Sequence, residues 1–137
     1  MSPHFSYQRN AASAWTRIDL LLTVYDVGIQ TAHGALNALA QGDDDGVTRQ
    51  RLKFYRVLMQ ILDGLDTKYE TTQNIQRLTL YMFDRASKGR PADWQAVLKV
   101  LNILREGFGA IRDQAVELES RGVVPAVDAA SAVNVSV

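Results

Sequence analysis

Residues 15–40 read WTRIDLLLTVYDVGIQTAHGALNALA, and this stretch decides the fold. Its apolar positions are Trp15, Ile18, Leu22, Tyr25, Ile29, Ala32, Leu36 and Leu39, spaced by alternating steps of three and four. Such steps form the a/d seam of a helix packed lengthwise against other helices. A strand repeats at every second residue and cannot produce them. Beside the seam runs a second stripe, Ala14, Leu21, Gly28 and Ala35, whose small residues let a neighbouring helix approach closely. At 1.5 Å per residue the stretch is ~35–40 Å long, the size of a bundle helix.

Working outward, Thr16 and Asp19 fit a capping box that opens this helix, with a start near Ser13 as the alternative. Gly42 fits the glycine that closes it. The run Asp43-Asp44-Asp45-Gly46 follows. A calcium loop spaces its acids at alternate positions and ends on a distant glutamate. Consecutive acids read instead as a turn at the positive end of the next helix. Upstream, Met1–Asn10 is polar apart from rings at Phe5 and Tyr7, with His4 beside them. Residues 1–12 read as a mobile arm.

Three more helical patterns follow. Helix 2 is expected over about Val47–Leu65, with two apolar faces: Leu52, Tyr55, Met59 and Leu62 on one, Phe54, Val57, Ile61 and Leu65 on the other. A helix apolar on two faces lies between neighbours or offers one face to something outside the chain. Thr67-Lys68-Tyr69-Glu70 is a second capping box and opens helix 3. The core stripe of helix 3 reads Ile75, Leu78, Met82 and Ala86, broadened by Leu80, Tyr81 and Phe83. Gly89 closes it. Helix 4 runs from about Pro91 to Arg121 on the stripe Trp94, Val97, Leu101, Leu104, Phe108, Ile111, Ala115 and Leu118. Its flank is Ala96, Val100, Ile103, Gly107 and Ala110. Gly107 and Gly109 cost about 1 kcal/mol each against alanine in a helix interior and suggest a close contact or a bend. The predicted fold is all-α, an antiparallel four-helix bundle occupying residues 1–121, with an N-terminal arm. Residues 122–137 have no helical period and read as a non-core tail, flexible or loosely docked.

The chain has 137 residues, 15 basic and 15 acidic, and no cysteine. Zero net charge without a dense basic patch argues against nucleic acid. The absence of cysteine removes disulfides, thiolate metal sites and thiol catalysis. The N-terminus has no apolar signal segment, and no window is apolar enough to enter a membrane. A cytoplasmic protein is the expectation. His4 and His33 are the only histidines. No Glu-x-x-His pair supports a di-metal bundle, and no glycine-rich phosphate loop or nucleophile elbow is present. Asp26, Asn74 and Asn102 are polar positions on apolar faces, but they do not form a catalytic set. Neither an enzyme nor a cofactor is expected. His33 invites comparison with histidine phosphotransfer bundles, yet Ala35, Leu36 and Asn37 stand where that motif has Leu, Lys and Gly.

Several segments resemble one family. Leu20-Leu21-Leu22-Thr23-Val24-Tyr25-Asp26-Val27-Gly28-Ile29 resembles the first-helix signature of the FliS family of flagellin export chaperones: a leucine run, Tyr-Asp, a small residue, an apolar one. Asn74-Ile75-Gln76-Arg77-Leu78-Thr79-Leu80-Tyr81-Met82 resembles its third-helix pattern. Tyr7-Gln8 and Asp63–Asp66 resemble two further family positions. Thr67-Lys68-Tyr69 stands where the family often has a glycine pair, Thr79 where it has a tyrosine, and Phe108 where it often has tryptophan. The resemblance implies a non-enzymatic holdase. Its partner would be the disordered C-terminal segment of flagellin, folded into helices on an apolar groove before export. An export-gate component is a possible second partner, and the protein itself would be a monomer or weak homodimer. By the same resemblance Tyr7 is the gate of the arm, and Tyr25, Asp26, Asn74, Leu78 and Tyr81 shape the groove. The flank of helix 4 adds Val100 and Ile103. A bundle adaptor for another secreted or regulatory protein is the alternative.

Overall fold

The structure is a computed structural model that describes residues 3–65 and 70–122, with side chains except at 3–17, 115, 119 and 120. It is an all-α four-helix bundle: α1 (Pro3–Ala40), α2 (Asp44–Asp63), α3 (Glu70–Lys88) and α4 (Pro91–Ser120). Among the described residues α1 packs on α2 and α4, and α3 packs on the same two. Helices α1 and α3 are therefore diagonal. Asp26 pairs with Arg105 and Asp19 with Arg112, so α1 and α4 run antiparallel.

The seam of α1 buries Ile18, Leu22, Tyr25 and Ala32. Toward its C-terminal end, burial shifts to the small-residue stripe at Ala35 and Ala38, and Ile29, Leu36 and Leu39 are half-buried against the core. A helix of 3.6 residues per turn drifts against a 3.5-residue repeat, so the buried line moves around it. Gly28 sits where α1 meets both neighbours: a Cβ there would lie 3.3 Å from Val57 and 3.5 Å from Leu101. Large side chains fill the centre. Phe54 of α2 meets Trp94 of α4 edge-on at 5.5 Å, and both are fully buried.

The helix ends follow the glycines. Gly42, Gly89 and Gly122 have φ of 67°, 66° and 81°. Asp43 caps α2 by accepting a hydrogen bond from the Gly46 amide at 2.9 Å, and Asp44 and Asp45 lie in its first turn. The acidic run is thus a helix start, and α2 begins at Asp44, earlier than Val47. At the other turn, Arg51 of α2 donates to the Ala86 carbonyl at 3.0 Å and crowds the α face of Gly89. A side chain at Gly89 would displace it.

Two expectations change. Helix α1 begins at Pro3, so residues 3–12 are helical in backbone and Thr16 lies inside the helix. Proline suits a first turn, and Ala11, Ala12 and Ala14 are strong helix formers. Residues 67–69 of the second predicted capping box lie outside the described residues, and Glu70 is the first residue of α3. The core row of α3 is Ile75, Thr79, Met82 and Ala86, and Leu78 is displaced from it, 38% exposed. Steps of three and four from Ile75 reach either Leu78 or Thr79, and the helix is turned so that the second faces inward.

Candidate functional site: the apolar flanks of the third helix

The rotation of α3 sets the site. In Leu78-Thr79-Leu80 the threonine is fully buried and both leucines are exposed, 38% and 52%. Thr79 satisfies its hydroxyl by donating to the Ile75 carbonyl at 2.7 Å. Burial of a leucine stabilises a fold by about 1.5–3 kcal/mol. This helix leaves two outside while a hydroxyl occupies the core.

The leucines lie on opposite flanks. Toward α4, the row Asn74, Leu78, Tyr81 and Arg85 occupies one face by its steps of four, three and four. Its direction is fixed by Arg85, which reaches Asp93 of α4 at 3.2 Å and sits over the Tyr81 ring, 5.1 Å from its centroid. Tyr81 is 38% exposed. The facing row of α4 holds Val100, half-buried against the core, and Ile103, 59% exposed. A Cβ on Gly107, one turn beyond Ile103, would have nothing within 4 Å. Neither Gly107 nor Gly109 marks a close helix contact; Gly107 leaves space, and a Cβ on Gly109 would meet only the Arg105 side chain. Asn74 is exposed and accepts from Arg77 at 2.9 Å.

Toward α2, Tyr55 and Phe83 stack at 5.4 Å as the floor of a second flank. Leu52 and Met59, one turn either side of Tyr55, are each about half exposed. The inner face predicted for α2 buries Phe54, Val57 and Ile61, and this outer face stays open. Leu52, Met59 and Leu80 are missing from the residues assigned to the groove by sequence. The signal for Leu52 and Met59 was the doubled apolar face of α2, and for Leu80 the broadened stripe of α3; periodicity alone could not place either outside.

The remaining predicted residues lie elsewhere. Tyr25 belongs to the core: it is 0% exposed and stacks on Phe108 at 5.5 Å. Its phenol oxygen has no hydrogen-bond partner among the described residues, and burial pushes its pKa up. Asp26 accepts from Arg105 at 3.0 Å on the opposite side of α4 from Ile103. With Asp19, Arg112 and Asp113 it lines a polar cleft of about 450 Å³. Tyr7's side chain lies outside the described residues. His33 is exposed on α1. Among the described residues no cluster of His, Cys, Asp or Glu could hold a metal, and no helix is long and apolar enough to cross a membrane.

The α3–α4 turn is polar and tightly tied. Asp93 is 1% exposed and accepts from the Arg90 amide at 3.1 Å, from Arg90 Nε at 2.7 Å and from Arg85. The Arg90 hydrogen bond, ahead of the cost of burial and the Arg85 bond, holds its carboxyl far below the usual carboxylate range. The chain matches no family model, no curated protein and no solved structure.

Proposed function

We propose that this protein is a chaperone of the FliS type, a holdase and not an enzyme, that keeps the disordered C-terminal segment of flagellin unassembled in the cytoplasm before export. One observation carries the reading: Thr79 is buried between exposed Leu78 and Leu80. A fold that needed only its own stability would turn α3 by one residue and bury a leucine. Leaving both outside supplies α3 with an apolar row on each side, the surface that an amphipathic helix takes. A disordered cargo loses chain entropy on binding, so it needs such a long apolar contact. The family resemblance over Leu20–Ile29 and Asn74–Met82 supplies the cargo class. An export-gate component is the second partner in this reading.

The test is titration calorimetry with the C-terminal segment of the flagellin encoded in the same genome. Micromolar or tighter binding is expected, with a strongly negative heat-capacity change and a gain of helix by circular dichroism. Ile103→Asp weakens that binding at least tenfold and leaves the urea unfolding free energy within about 0.5 kcal/mol, as for other surface changes. Absence of both heat and helix gain sinks the proposal.

A further inference from the structure

The outer face of α2 is an apolar row edged with charge. Leu52 and Met59 are exposed, and Tyr55 lies half-buried between them against Phe83. Arg49, Arg56 and Asp63 follow one another at seven-residue intervals, two helical turns, so they stand on one side of this row. All three are exposed. Among the described residues Arg56 and Asp63 have no charged partner, and Arg49 reaches Asp43 only at 3.9 Å. The row also reads nearly the same in both directions. Leu52 and Met59 are equally far from a point between Tyr55 and Arg56, and Arg49 and Asp63 are equally far from Arg56.

We propose that this face docks on a second copy of the chain, α2 against α2, in antiparallel register. A twofold axis makes one surface its own partner, with residue i on residue j and j on i. Leu52 of each copy then lies on Met59 of the other, and Arg49 of each meets Asp63 of the other. The axis stands normal to both helices, so each side of α2 faces the same side of its mate, and both ion pairs form along one edge. Charge selects this direction. A parallel pairing sets Arg49 beside Arg49 and Asp63 beside Asp63, and both attractions are lost. Arg56 falls on the axis beside its own mate, and like charges there repel. The patch is one helix wide, smaller than a permanent interface. The dimer is therefore weak and exchanges with free chain. The flank that carries Val100 and Ile103 lies across α3 and stays open, so the inference does not rest on the proposed function.

The test is sedimentation velocity on the full-length protein at rising concentration. A monomer–dimer equilibrium is expected. Arg49→Asp and Asp63→Arg should each weaken it by about tenfold, because either change sets two like-charge pairs across the axis. An equimolar mixture of those two variants should regain the dimer, since both of its cross pairs are again of opposite sign. Arg56→Gln should tighten the dimer by roughly threefold, by relieving the repulsion on the axis. These positions are exposed, and circular dichroism should show unchanged helix in every variant. A chain still monomeric at roughly 1 mM overturns the proposal. So does a dimer that neither single reversal weakens, or a mixture no more associated than its separate components. Association abolished by Ile103→Asp, with both reversals silent, assigns the contact to the α3/α4 flank and overturns it equally. Failure of the flagellin segment to bind while this dimer obeys the charge swap breaks the proposed function alone.

Discussion

Toward α1, α4 presents Arg105 and Arg112, each paired with an aspartate across the seam. Toward α3, the same helix presents Val100, Ile103 and Gly107. Among the described residues the ionic tie on that side is Arg85–Asp93, at the turn. The first edge is finished with charge, and the second is apolar at Leu78, Val100 and Ile103, between polar ends at Asn74 and Arg85. Charges at a helix edge satisfy each other and water and reject an apolar visitor. An apolar edge with space beside it gains by being covered. In the proposed function, the second edge is where cargo would lie.

The comparison is broken most strongly from inside. Phe108 packs on Tyr25 beneath the charged edge, and Phe108→Ala should cost about 3–4 kcal/mol of unfolding free energy in urea. A loss under 1 kcal/mol would mean that the α1 side is held by its ion pairs after all. Next comes the clasp at the α3–α4 turn. Asp93→Asn should lower the melting temperature by several degrees at neutral pH. The depressed carboxyl gives stability that is full above the unfolded value of about 4 and falls with pH below it. The gap between the two proteins should therefore narrow in acid. A gap that is constant with pH would deny the carboxylate its role.

Smaller effects sharpen the contrast. Asp26→Asn removes a half-exposed pair and should cost at most about 1 kcal/mol, vanishing in 1 M salt. Gly107→Ala should raise stability by up to about 1 kcal/mol, because helix propensity improves and the space beside it is free. If stability falls, the flank is tighter than the geometry indicates.

The fold was legible because burial imposes a period. The α1 seam, the stripe of α4 and the glycines at 42, 89 and 122 each carry a local signal. The flanks were only half legible. Leu78 and Thr79 satisfy the same three-four spacing from Ile75, and the choice between them depends on how α3 is rotated against its neighbours. Tyr25 is assigned to the groove by the resemblance, whereas its place in the three-four seam of α1 already marks a core position. The pairs Asp26–Arg105 and Asp19–Arg112 join distant parts of the chain and leave no trace in spacing.

Only Gln41–Asp43 separate α1 from α2, and small residues let those two helices settle closely. That hairpin is local in the chain and needs little loop closure. Helix α3 has threonines at Thr71, Thr72 and Thr79 on its inner face. Fewer apolar side chains on that inner face predict a third helix that opens more readily than the hairpin. Amide hydrogens of α1 and α2 should exchange only through global opening, and those of α3 through a cheaper, partial one. Under the proposed function, a third helix that opens first would refit its flanks to cargo of varied sequence while the hairpin keeps its shape.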